Sequence, residues 1–142
     1  MSQKHKRVIT FLFFLYLVIV LRITVFRSTF TLQQLCQNGK INLTLFEEYI
    51  VLLRQESYFS FSYLFFGNIV WFIPFGMYLQ YMGKNKTLFH AAVCGFLFSL
   101  LIETLQFVFG TGFSELDDLI LNMFGAWVGA ALIVLYFSLR HT

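Results

Sequence analysis

Acidic and amide side chains inside apolar runs are the residues of this chain that invite chemistry, because an ionisable group at the centre of a bilayer costs roughly 2.5 to 3.5 kcal/mol on insertion scales. Glu103 lies in the apolar run at residues 88–110, about seven residues and hence about 10 Å from its far end at 1.5 Å per residue. A side chain that short cannot snorkel over such a depth. Gly95, Ser99, Glu103 and Gln106 recur at spacings of four, four and three, so they share one small or polar helix face. In the next apolar run Asp118, Asn122, Gly125 and Gly129 recur at four, three and four, ending in a Gly-x-x-x-Gly pattern that lets two backbones approach closely. Asn68 stands at a similar depth in the run at residues 61–82. If the two stripes pack on each other, Asn68, Glu103, Gln106, Asp117, Asp118 and Asn122 form one polar binding site.

Other readings of the same residues stay open. The Gly125 and Gly129 pair serves plain helix adhesion equally well, and Asn68 and Asn122 suit interhelical hydrogen bonds. Asp117 and Asp118 can cap a helix and favour its positive end. Pro74 removes one backbone hydrogen bond and frees the Val70 carbonyl, so a kink there can open a small cavity beside Asn68. A catalytic reading would use Glu103 as general base, or Asp117 and Asp118 to hold a divalent cation. No histidine, reactive cysteine or nucleophilic serine accompanies these acids, so no catalytic residue is assigned, no cofactor is called for and any metal stays unknown.

Placing these groups requires membrane helices. Of 142 residues 58% are hydrophobic and only 12% charged, with twenty phenylalanines and one proline; soluble domains carry about 25% charged residues. Since a spanning helix needs roughly 20 residues, four of them leave no room for a soluble catalytic domain. The runs at about residues 8–26, 61–82, 88–110 and 119–139 predict four transmembrane helices in a single membrane domain over residues 1–142. The first run follows Lys4, His5, Lys6 and Arg7 as in a signal peptide, but no small-x-small cleavage site follows, which predicts a retained span.

Lys4, Lys6, Arg7, Lys84, Lys86 and Arg140 fall on one side of these spans, and basic residues are retained in the cytoplasm. Both termini are therefore expected inside, with the acids outside or within the membrane. The outer segment at about residues 28–60 is long for a connection. Its stretch TLFEEYIVLL predicts a short amphipathic or re-entrant element in an otherwise all-α membrane protein. Basic and acidic residues balance there, so nucleic acid is excluded as a partner. Cys36 and Cys94 lie far apart without metal-ligand spacing, which leaves them to ordinary packing.

Four blocks of this sequence resemble the VanZ family of small bacterial membrane proteins. The first span, FLYLVIVLRITVF, is similar to the family's opening helix, and INLTLF at residues 41–46 resembles its NLTPF-like block, with Leu45 in place of proline. GNIVWFIPFG, residues 67–76, is similar to the N-x-x-x-F-x-P-F-G signature, which marks Pro74 and Gly76 as structural. IETLQFVFGTGFSELDDLILNMFGAWVG, residues 102–129, matches E-x-x-Q, then D-D, then N-x-x-G-x-x-x-G. Gly112 stands where some members carry arginine and Glu115 where aspartate is usual.

The founding member is associated with resistance to the lipoglycopeptide teicoplanin, with little effect on vancomycin. The resemblance implies a multi-pass cell-membrane protein of the Gram-positive envelope. The expected function is action at the outer leaflet on membrane lipid, a lipid-linked cell-wall precursor or a lipoglycopeptide. The alternatives are a membrane enzyme on a lipid-linked substrate and a small lipid transporter or flippase, the latter needing an oligomer.

Overall fold

Backbone amides in hydrocarbon have no water to bond, so apolar runs close their hydrogen bonds internally as helices. In the computed structural model, which describes residues 3–26, 40–83 and 87–140, four helices are long and apolar enough to cross a membrane. They are α1 (Gln3–Thr24), α3 (Tyr58–Met82), α4 (Leu88–Phe109) and α5 (Leu116–Arg140). All four coincide with the runs expected from the sequence. Three of them begin earlier than expected: α1 takes in Lys4, Lys6 and Arg7, α3 starts at Tyr58, and α5 takes Asp117 and Asp118 into its first turn. Helix α3 continues through Pro74 without a break.

The connecting segments add what hydropathy does not announce. A fifth helix, α2 (Glu47–Arg54), occupies the apolar and acidic stretch of the long connection. Two three-residue strands, β1 (Lys40–Asn42) and β2 (Phe113–Glu115), pair as a small sheet. This amends the all-α expectation, since three residues are too few to show strand alternation in a sequence. Cys36 and the lysines Lys84 and Lys86 lie outside the described residues.

The chain divides into two compact units, Met1–Ile41 with Leu100–Ser114, and Asn42–Ser99 with Glu115–Thr142. In the first, Val20, Val25 and Ile102 are buried, and the rings of Phe26 and Phe109 stand 5.6 Å apart. In the second, α3 and α5 meet almost backbone to backbone. An alanine Cβ at Gly125 would stand 2.2 Å from the Ile69 carbonyl oxygen, and one at Gly129 would stand 2.0 Å from that of Ile73. From the α3 side, a Cβ at Gly76 would come within 1.8 Å of the Ala126 carbonyl oxygen. Phe72, Phe75 and Phe98 pack beside this crossing, with Phe75 and Phe98 stacked at 5.0 Å.

The Gly-x-x-x-Gly pattern of α5 therefore closes on α3, whereas the sequence reading pairs its stripe with that of α4. Helix α4 does meet the same ridge, but through Gly95, whose Cβ position lies 2.5 Å from the Ala126 Cβ. Asn122 and Ala126 turn to α4 while Gly125 and Gly129 turn to α3. One narrow face of small residues thus serves two neighbours, because small side chains leave room on both flanks.

Two helix ends use the same stop signal with different residues. Gly110 ends α4 at φ 60°, and the Thr111 N–H reaches back to the Gln106 carbonyl at 3.1 Å. At the end of α2 the equivalent position is Glu56 at φ 57°, with the Ser57 N–H on the Leu52 carbonyl at 2.9 Å. The left-handed region costs a residue with a Cβ about 1–2 kcal/mol, and glycine avoids that cost at this position. Glu56→Gly is expected to stabilise the protein by about 1 kcal/mol, part of the gain being offset by glycine's larger entropy loss on folding. Thermal unfolding in detergent micelles checks this, and an unchanged or lower midpoint would contradict it.

Candidate functional site

The earlier start of α5 decides where its acids go. Neighbours on a helix point about 100° apart, so Asp117 and Asp118 address different partners while both sit at the positive end of the helix. The Asp117 carboxylate is buried and accepts the Phe46 backbone N–H on both oxygens, each at 2.9 Å. Phe46 precedes α2 in the left-handed region, at φ 56°. A carboxylate seventy-one residues away in sequence thus holds the entry to α2 in a conformation a phenylalanine disfavours.

Asp118 accepts a hydrogen bond from the Asn68 side-chain amide on α3. Its backbone carbonyl accepts from the Ser99 hydroxyl at 3.4 Å, and Ser99 in turn accepts from the Asn122 amide at 2.8 Å. Ser99 is fully buried and Asn122 nearly so. The second polar atom of that amide, Asn122 Oδ1, is buried without a partner among the described residues. Tyr49 completes the group from α2: it is buried, hydrogen-bonded to the Asn68 side chain, and set edge-on against Phe61 and Phe65 at 6.1 and 5.4 Å. Burial pushes its phenol above the usual range, and the neighbouring Asp118 adds to that.

Just before α5, Glu115 accepts from the Asn42 side chain and meets the Glu48 carboxyl. Burial raises its pKa first and the Glu48 charge second, against the lowering effect of Asn42.

Glu103 and Gln106 belong to the other unit. Glu103 is buried, and its backbone carbonyl accepts the Ser114 hydroxyl at 2.8 Å. The Gln106 amide donates to the Thr24 carbonyl at 3.2 Å, while its Oε1 is buried with no partner among the described residues. Glu103 follows Ser99 by one turn of α4, as its spacing requires.

Of the six residues singled out from sequence, Asn68, Asp117, Asp118 and Asn122 fall in the second unit, and Asn68, Asp118 and Asn122 join one hydrogen-bonded chain. Glu103 and Gln106 fall in the first unit. Asp117 takes a role that neither the cap nor the ligand reading names, as a long-range tie. Sequence reasoning missed Tyr49, whose one signal is a phenol within an apolar stretch, and it left Ser99 on the stripe without a partner. Among the described residues no group of three or more His, Cys, Asp or Glu gathers to hold a metal. The Cys94 thiol is free and lies 3.6 Å from His90 one turn earlier on α4.

A family model described as VanZ/LLP1 matches residues 13–137. No curated protein and no solved structure matches the chain.

Proposed function

The chain belongs to the VanZ/LLP1 family, and from that premise we propose that it acts in the cell envelope by engaging an amphipathic ligand at the outer leaflet. The ligand classes are membrane lipid, a lipid-linked cell-wall precursor or a lipoglycopeptide. The coarser statement is plain: this is a VanZ-type protein with four helices fit to span a membrane. The observation that supports the finer one is the hydrogen-bonded chain Asn68–Asp118–Ser99–Asn122 within apolar helices, half-buried at Asn68 and Asp118 and buried at Ser99 and Asn122. Polar groups at such positions are expensive and are retained where they bind, relay or pair.

Glu103 is the acid most costly to insert and so the first to test. A sensitive Gram-positive host expressing wild type is expected to gain protection against teicoplanin and little against vancomycin. Glu103→Gln, which preserves shape and removes the charge, is expected to lose that protection at matched membrane levels. Protection retained by the variant would remove Glu103 from the function, and no protection by wild type would overturn the lipoglycopeptide reading.

The proposed orientation puts β2 and the first turn of α5 outside and both termini inside. Ser114 is a poor reporter because it is buried and bonded to the Glu103 carbonyl. Phe113 is exposed, so Phe113→Cys in a background without Cys36 and Cys94 is expected to react with an impermeant thiol reagent in intact cells. Labelling only after lysis would reverse the topology.

A further inference from the structure

The hydrogen-bonding inventory of the second unit is one-sided. Asp117 and Asp118 carry negative charge when ionised, and among the described residues the donors they meet are uncharged: the Phe46 backbone N–H and the Asn68 amide. Asn122, 5% exposed, sits on the same hydrogen-bonded chain through Ser99, and among the described residues its Oδ1 is buried without a donor. Buried acceptors are almost always satisfied, so an orphan one implies a donor still to be supplied. Asp118 and Asn122 are four residues apart on α5, which places their Cβ atoms about 5–6 Å apart on one face. A single nitrogen at about 2.8 Å from each of two oxygens bridges such a gap.

We propose that Asp118 and Asn122 bind the ammonium group of a primary-amine amphiphile, its N–H bonds shared between the Asp118 carboxylate and Asn122 Oδ1. An ammonium offers three donors and no acceptor, which complements a site made of acceptors. A phosphate would be repelled by the paired acids, and a hydroxyl leaves their charge uncompensated. This inference rests on the binding reading above and names the chemical class of its ligand.

The test uses the full-length protein in nanodiscs and three probes of equal chain length: dodecylamine, dodecyltrimethylammonium and dodecanol. Dodecylamine is expected to raise the unfolding midpoint saturably. Dodecyltrimethylammonium, with the same charge but no N–H donor, and dodecanol are expected to leave it unchanged. Asp118→Asn, which keeps an acceptor for Asn68, is expected to weaken dodecylamine binding at least tenfold. Glu47→Gln removes an equal charge from an exposed position on α2 and is expected to bind as wild type.

Equal response to the quaternary amine, or unchanged binding in Asp118→Asn, would overturn the proposal as non-specific attraction to an acidic surface. Dodecanol binding that Asp118→Asn abolishes would refute the ammonium while leaving the binding site standing. No response to any probe would also refute the ammonium, and the susceptibility of the host expressing wild type then judges the binding reading by itself.

Discussion

Gly76→Ala is expected to reach the membrane and fail to form the folded helix assembly. The new Cβ would stand 1.8 Å from the Ala126 carbonyl oxygen and 2.6 Å from its carbon, both backbone atoms that cannot swing aside. Relief requires α3 and α5 to separate, which also pulls apart Gly125 from Ile69 and Gly129 from Ile73. Overpacking costs about 1–3 kcal/mol where side chains can yield, so a backbone clash belongs at or above the upper end, about 3 kcal/mol. Hydropathy hardly changes, so insertion is preserved and the loss lies in helix association. Gly67 provides the internal control. It sits on the same helix with nothing within 4 Å of its Cβ position, so Gly67→Ala is expected to be neutral or to stabilise by up to about 1 kcal/mol through helix propensity. Detergent-resistant folding and thermal aggregation of the two variants decide the matter. Equal behaviour would refute the backbone contact.

Asp117→Ala is expected to release α2 while leaving the α3–α5 crossing intact. The substitution leaves the half-buried Phe46 N–H without its acceptor, a loss of about 1 kcal/mol for the hydrogen bond. It also removes what holds Phe46 in the left-handed region, where a side chain costs about 1–2 kcal/mol. Both ends of α2 carry such a residue, Phe46 and Glu56, so relaxation at one end frees strain that the other cannot hold alone. Residues 43–54 are expected to exchange amide hydrogens at least tenfold faster, with α3 and α5 unaffected. Asp117→Asn, which keeps one carbonyl acceptor, is expected to fall between. Hydrogen exchange read by mass spectrometry separates this role from capping, since a lost cap would expose the first turn of α5 and leave residues 43–54 protected.

The acids and amides worth attention were legible in sequence because each interrupts a run of apolar residues, and insertion cost makes such interruptions informative. Their partners were less legible. The chain Asn68–Asp118 joins residues fifty apart, and Phe46–Asp117 residues seventy-one apart, distances over which helical spacing is silent. Tyr49 was hidden for a related reason: one phenol in an apolar stretch is ordinary lipid-facing composition until a fold turns it inward.

By itself the sequence determined the four helices long and apolar enough to span a membrane, the family and the small-residue face of α5, since these depend on residue type and local period, which are properties of one segment at a time. Only the tertiary structure decided that Gly125 and Gly129 close on α3, that β1 and β2 pair, and that Asp117 holds Phe46. Those outcomes depend on which segments meet, and a face built of small residues accepts a neighbour on either flank until packing selects one.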